Sequence, residues 1–256
     1  MKRKMKGGYC IFIMSVAAVF FALSMPVSAS KLDNRIILSA RQSYVFKVYL
    51  EGDDIRIESR DGAVTLTGII ADDFHRSLAE VTVKDIAGVR SVDNRLEIKG
   101  SSPTANSDAW FHDKVKTTLL LHRSVRAAAT EVDVKDGIVT LRGAAMNQAQ
   151  KDLITEYAKD VEGVKDVVNE MTVSADKESA PRTTKEKIDD VSIAALVRMG
   201  LLLHHSTSGV YTTIATKRGV VTVGGRARTA AEKELVTRVV KDITGVKSVK
   251  NLMTVK

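Results

Sequence analysis

Residues 136–143 read Asp-Gly-Ile-Val-Thr-Leu-Arg-Gly, and the same pattern returns twice more along the chain, beginning at Asp61-Gly62 and at Arg218-Gly219. An Asp-Gly pair between runs of alternating apolar residues is the strongest short signal for a β-hairpin, because glycine accepts the positive φ of the turn. Each stretch therefore predicts a tight turn followed by a half-buried strand.

A second glycine follows the glycine that closes each of these strands, and the distance between the two is the same in every copy. The distance between successive copies, in contrast, differs. Constant spacing inside a unit and variable spacing between units indicate tandem modules, which bind or scaffold more often than they catalyse. We expect the recurring glycines to serve backbone geometry rather than ligand binding. They are Gly68 with Gly88, Gly143 with Gly163, and Gly225 with Gly245.

Helical patterns flank the hairpin in every copy. An apolar stripe with spacings of 4, 1, 3, 1 and 3 predicts a second helix after the strand, and a good N-cap residue precedes it. The N-cap residues are Asp72, Asn147 and Thr229. A first helix is predicted before each hairpin, over Ile36–Lys47, Val115–His122 and Val191–His204. A final strand is predicted over Val92–Ile98, Val167–Val173 and Val249–Val255.

Each module therefore has the order α-β-β-α-β, and we predict an α+β fold of three tandem modules, each with two helices packed on a three-stranded mixed sheet. The hairpin supplies an antiparallel pair of strands, and the helical crossover favours a parallel pair. The predicted organisation is a signal peptide at 1–29, modules at 31–100, 108–174 and 187–256, and linkers of turn-forming residues at 101–107 and 175–186.

The first thirty residues have the composition of an export signal. A basic segment at residues 2–6 precedes an apolar run over Tyr9–Met25, and small residues follow. We predict a secretory signal peptide cleaved after Ala29, with an uncleaved membrane anchor as the alternative. Cys10 is the one cysteine of the chain, so the exported protein would have no disulfide and no cysteine nucleophile. Export without disulfides suits a bacterial periplasm.

Charge is distributed unevenly among the modules. Residues 31–100 hold 11 basic and 12 acidic side chains, and residues 108–175 hold 9 and 11. Residues 185–256 hold 13 basic and 6 acidic side chains, a net charge of +7. Such asymmetry indicates an anionic partner for the third module.

Four basic residues of the third module are the candidate lipid-binding residues. Arg226 and Arg228 precede the second helix, where free N–H groups and the helix dipole favour an anionic headgroup. Lys217 and Arg218 occupy the hairpin turn at the other end of the strand, so the two pairs need not form one patch. The alternative is a solvated face that only keeps the module soluble.

The apolar helix Val191–His204 has more apolar residues than one buried stripe needs, so it either inserts into lipid or packs between modules, and packing is the favoured interpretation. His122 aligns with His204, which indicates a structural role at a helix end. We predict no catalytic residue, metal site, cofactor or small-molecule substrate, since no hydrolase, metalloprotease or cysteine-nucleophile motif occurs. Nucleic-acid binding is disfavoured by the export signal and by the small number of aromatic residues, 12.

The sequence resembles the BON domain, named for bacterial osmotically inducible and nodulation proteins. The resemblance rests on the hairpin motif of residues 136–143, the capped second helix and the motif Gly163-Val-Lys-Asp-Val-Val-Asn169. The resemblance covers three copies, of which the second and third are closest to the pattern. It implies a periplasmic protein linked to osmotic or envelope stress. It also implies binding to phospholipid membranes or other envelope components, without catalysis.

Two functions from different classes follow from these observations. The first is a non-catalytic periplasmic envelope protein that binds anionic phospholipid membrane, or envelope proteins, through its third module. The second is a periplasmic protein-binding adaptor or chaperone-like factor that uses an apolar first helix. Salt separates them, because binding through arginines weakens with ionic strength and apolar contact does not.

Overall fold

The structure is a computed structural model that describes residues 27–100, 103–125, 130–173, 188–207 and 210–256, with side chains from residue 31 onwards. The predicted signal peptide lies almost entirely outside these residues, and the predicted linker 175–186 lies wholly outside them. No helix in the described part of the chain is long and apolar enough to cross a membrane.

The described residues form three modules that share one element order. The first contains α1 (Val27–Gln42), a π-helix (Val45–Tyr49), β1 (Asp54–Arg60), β2 (Ala63–Ile70), α2 (Asp73–Lys84) and β3 (Ser91–Ile98). The second contains α3 (Asp108–Leu121), β4 (Thr130–Lys135), β5 (Ile138–Ala145), α4 (Gln148–Lys159), β6 (Asp166–Asn169) and β7 (Thr172–Val173). The third contains α5 (Asp190–Leu203), β8 (Thr212–Lys217), β9 (Val220–Ala227), α6 (Ala230–Asp242), β10 (Ser248–Asn251) and β11 (Thr254–Val255).

The three sheets confirm the predicted mixed α+β modules. In the first module β2 is antiparallel to β1 and parallel to β3. The central strands β5 and β9 pair in the same two ways with their neighbours. The last strand of the second and third modules is divided in two, so these sheets have four strands. At the break Asn169 and Asn251 accept the backbone N–H two residues further on, at 2.9 and 3.0 Å.

The predicted N-cap residues of the second helices are confirmed. The side chains of Asp72, Asn147 and Thr229 accept a backbone N–H three residues later, at 2.9, 2.8 and 3.1 Å. These bonds satisfy donors that the first helical turn leaves free.

The predicted first helix of the first module, Ile36–Lys47, is wrong in its extent. The α-helix ends at Gln42, and the chain continues as the π-helix. The backbone N–H groups of Tyr44 and Val45 donate to Asp189 at 2.7 Å and to Ser192 at 3.0 Å, both at the start of the third module. Because these donors are used between modules, the regular helical ladder does not continue through them.

Each hairpin turn is held by an aspartate of the first helix. The carboxylate of Asp33, Asp108 or Asp190 accepts both backbone N–H groups of the turn, at 2.7–3.0 Å. The first turn residue has positive φ in all three copies, between 52° and 54°. These two hydrogen bonds therefore hold each hairpin turn against the first helix of its module.

The first and third modules share one hydrophobic core, whereas the second module has a separate core. Helix α5 joins the first and third modules, because it packs on α2 of the first module as well as on the sheet of its own module. Its side chains are buried nearly all round, with Leu196 and Val197 inaccessible and Leu202 56% exposed. Packing between modules therefore accounts for the excess apolar residues of this helix.

Candidate functional site

The helices of each module cover one face of its sheet and leave the other face open. In β9 the residues that face the helices, Val221, Val223 and Ala227, are at most 1% exposed. Val220 and Arg226 alternate with them and are more accessible. Since side chains of a strand alternate between the two faces, the accessible set defines the open face.

The open face of the third module carries Lys217, Arg226 and Lys250, which we call the cationic face. Lys217 lies opposite Val220 and Lys250 lies opposite Thr222, so both share the face on which Arg226 lies. No acidic residue occurs in β8–β11. The rise of a strand separates Lys217 from Arg226 by about 20 Å along the sheet. The face is therefore a broad positive surface rather than a pocket.

The open faces of the other two modules carry charges of both signs. In the second module Arg142 lies opposite Glu131 and pairs with Glu170 at 2.9 Å. In the first module Arg95 pairs with Asp93 at 2.6 Å. Carboxylates neutralise these cations locally. Among the described residues, the open sheet face of the third module therefore differs from the other two, because it carries cations and no carboxylate.

Arg228 pairs with α6 and does not join Lys217 and Arg226 on the cationic face. Its guanidinium lies 3.3 Å from Glu232, and its backbone N–H donates to the same carboxylate at 2.5 Å. This backbone hydrogen bond, with the guanidinium beside it, lowers the pKa of Glu232 from its ordinary value. The start of α6 therefore holds a carboxylate of its own, which competes with an outside anion.

Arg218 lies at the tip of the hairpin, where φ is 54° and Asp190 holds its backbone N–H. The N–H of Lys247 donates to the carbonyl of Gly219 at 2.9 Å, which places Lys247 beside the tip. The first two modules have Asp61 and Asp136 where the third has Arg218. The tip therefore extends the cationic face at the end marked by Lys217.

A second polar cluster lies between the second and third modules, around Asp242 at the end of α6. The Nδ1 atom of His122 lies 3.0 Å from the carboxylate, and the Ser124 hydroxyl donates to it at 2.8 Å. The Tyr157 hydroxyl also donates to it, and Arg123 Nε lies 3.6 Å away. The rings of His122 and Tyr157 stack with centroids 3.7 Å apart. Four residues of the second module thus converge on one carboxylate of the third.

Burial opposes ionisation of the Asp242 carboxyl, but the hydrogen bonds from His122, Tyr157 and Ser124 outweigh it and hold its pKa below the ordinary value of 3.8. Burial, together with this carboxylate, raises the pKa of Tyr157 above its ordinary value. At neutral pH the cluster therefore contains an ionised Asp242 and a protonated Tyr157.

Equivalent aspartates of the other modules also make contacts between modules. Asp85 forms an ion pair with Arg198 of α5, and Asp160 lies 3.3 Å from Nε2 of His204. Asp85, Asp160 and Asp242 occupy the same position of the repeat, since each lies three residues before the recurring glycine that follows the second helix. The sequence interpretation missed them, although each belongs to a Lys-Asp pair that recurs in every copy.

We expect Asp242→Asn to lower the free energy of unfolding by about 1.5–3 kcal/mol at pH 7, because charged hydrogen bonds are lost. A group whose pKa is lowered by folding stabilises the protein above its unfolded pKa. The difference between native and variant should therefore shrink as pH falls through the lowered pKa of Asp242. Urea unfolding of both proteins from pH 7 to pH 3 measures this difference in the free energy of unfolding. Asp133→Asn, at a side chain that is 65% exposed, is the control. A pH-independent difference would contradict the assignment.

Among the described residues, no group of three or more His, Cys, Asp and Glu side chains is arranged to hold a metal ion. The fold and its surfaces define a repeat of small α+β modules. The chain belongs to the BON domain family, whose model matches residues 33–100, 107–175 and 189–256.

Curated relatives match parts of the chain. Osmotically-inducible protein Y of Escherichia coli K12 is 29% identical over 143 residues, 54% of this chain and 71% of its own length. Outer membrane lipoprotein DolP of Haemophilus influenzae is 29% identical over 112 residues, 43% of this chain and 58% of its own length. Among solved structures, the C-terminal domain of CdsD from the type III secretion system of Chlamydia trachomatis matches with a TM-score of 0.23 and 14% identity, covering 83% of this chain and 95% of that domain.

Proposed function

We propose that this protein is a non-catalytic periplasmic envelope protein whose third module binds anionic phospholipid headgroups through the cationic face. The observation that carries the proposal is the set Lys217, Arg226 and Lys250 on one uncovered sheet face without a carboxylate among its strands. Arg218 and Lys247 at the hairpin tip add positive charge at one end of that face.

The relatives support an envelope setting under stress. One is named as osmotically inducible and another as an outer membrane lipoprotein. The predicted signal peptide would export this chain from the cytoplasm into the cell envelope. We therefore propose a role in osmotic or envelope stress, with the membrane surface as the partner.

The energetics favour a multivalent surface contact. Each basic residue near an anionic membrane contributes about 1 kcal/mol, so three acting together give about 3 kcal/mol, or roughly a hundredfold in affinity. Because the cationic face is broad and open, its residues can contact several headgroups without rearrangement of the fold.

The adaptor alternative has little exposed apolar surface at which a partner could bind. It requires an apolar first helix that a partner can reach, whereas α5 is buried between modules and exposes Leu202 among its large apolar residues. The first helix of the second module exposes Leu120 at 38%. Leu202 lines a pocket with Phe74 and Trp110, so the apolar surface at this helix is confined to a small concave site. We therefore favour the membrane surface.

The decisive variant is Lys217→Glu/Arg226→Glu/Lys250→Glu, prepared in residues 30–256. We expect its binding to phosphatidylglycerol vesicles to fall by at least about a hundredfold relative to the native chain, because three favourable contacts become repulsive. Co-sedimentation at increasing salt measures the effect, and native binding should weaken as salt screens the charges. Phosphatidylcholine vesicles should bind neither protein.

The matched control is Arg56→Glu/Arg60→Glu/Arg95→Glu, which changes the net charge equally on the open face of the first module. It should bind anionic vesicles within a few fold of the native chain. Equal loss by both triple variants would show that net charge, not the cationic face, governs binding. Absence of native binding to any vesicle would end the lipid proposal and direct attention to protein partners.

A further inference from the structure

The second and third modules meet through equivalent residues on both sides. His122 at the end of α3 contacts Asp242 at the end of α6, and His204 at the end of α5 contacts Asp160 at the end of α4. The separation of the two histidines equals that of the two aspartates, and both equal the offset between these two repeats. The interface therefore contains one histidine–aspartate contact made twice, with the roles of the two modules exchanged.

The backbone repeats the same relation. His122 forms an isolated antiparallel bridge with Ile243, and His204 forms one with Val161. Ile243 and Val161 are again equivalent positions, each directly after the aspartate. Two reciprocal contacts related in this way have the form of a two-fold, isologous interface, in which one patch is complementary to itself. Here the two patches belong to one chain.

The second module contacts the third mainly through hydrogen bonds, whereas the first and third modules share a hydrophobic core. The second module has a separate core. Of its described buried residues, Leu121 belongs to the core of the first and third modules. Hydrogen bonds run from residues 122–124 and Tyr157 to the end of α6. Both connections to the second module are predicted linkers, residues 101–107 and 175–186.

We infer that this self-complementary surface, which we call the pairing surface, also accepts a second copy of the chain. In the exchanged form, the second module of one copy docks on the third module of the other, and the reverse contact closes a two-fold dimer. The exchange makes the contacts already present within one chain, so it requires no new surface. The partner is another copy of this protein, independent of any membrane.

Two single variants test the exchange by complementation in residues 30–256. His122→Asp places two carboxylates together, and Asp242→Lys places a lysine against His122, so each variant disfavours its own closed form. In a mixed dimer the aspartate introduced in one copy meets the lysine introduced in the other, and the second contact is native. We expect an equimolar mixture to contain at least about ten times more dimer than either variant alone at the same total concentration, by sedimentation velocity.

The double variant His122→Asp/Asp242→Lys is the matched control, because it restores opposite charges within one chain and should form no more dimer than the native chain. Far-UV circular dichroism establishes that each variant is folded. If one variant unfolds, His204→Asp with Asp160→Lys applies the same test to the other arm of the interface. A folded mixture that remains monomeric would overturn the inference. Dimers that form as readily from one variant alone would overturn it as well.

Discussion

Replacing Leu196 with alanine is expected to destabilise the first and third modules together, by about 2–5 kcal/mol. Leu196 lies in α5 with no exposed surface, inside the core that these two modules share. Removing its side chain leaves a cavity in this shared core, and packed interiors do not collapse fully around such a cavity.

Native-state hydrogen exchange distinguishes a shared core from two adjoining cores. If the core is one unit, the amides of β2 and β9 should lose protection by the same free energy in Leu196→Ala, because they open together. The amides of β5 should keep their protection, since the second module has its own core. Leu202→Ala, in the same helix at a residue that is 56% exposed, should change little. Loss confined to β9 would contradict the shared core.

The local elements could be predicted from the sequence because their signals are local. The Asp136-Gly137 turn, the N-cap Asn147 and the apolar stripe each lie within a few residues of the structure they specify. The repeats then reinforce one another. The π-helix at Val45–Tyr49 could not be predicted in this way, because it depends on Asp189 and Ser192, which belong to a different module.

The same distinction applies to the candidate sites. That Lys217 and Arg226 share a face follows from the two-residue period of the hairpin strands, once their register is known. Lys250 joins them only through the parallel pairing of β10 with β9, which no turn specifies. The contacts of Asp160 and Asp242 depend on how whole modules pack. Their repeat spacing marks them as recurring, but it does not say what they touch.

Replacing Gly225 with alanine is expected to destabilise the third module by at least about 3 kcal/mol, since residues forced into disfavoured backbone regions cost about 1–3 kcal/mol and a backbone clash adds to it. Gly225 has φ of 121°, and a Cβ atom there would lie 2.1 Å from the carbonyl oxygen of Tyr211. Tyr211 precedes β8, so relief of the clash must separate β8 from β9. For a chain of this size the melting temperature should fall by about 6–12 °C.

Gly52→Ala is the matched control, because a Cβ at Gly52 would have no atom within 4 Å. It should melt within about 2 °C of the native chain, as surface substitutions do. Because Gly225 adjoins Arg226, and β8 carries Lys217, separation of these strands also divides the cationic face. Gly225→Ala should therefore lose vesicle binding at temperatures where Gly52→Ala keeps it. Native-like melting of Gly225→Ala would mean that the β8–β9 pair tolerates a side chain here, and the argument from backbone geometry at this glycine would fail.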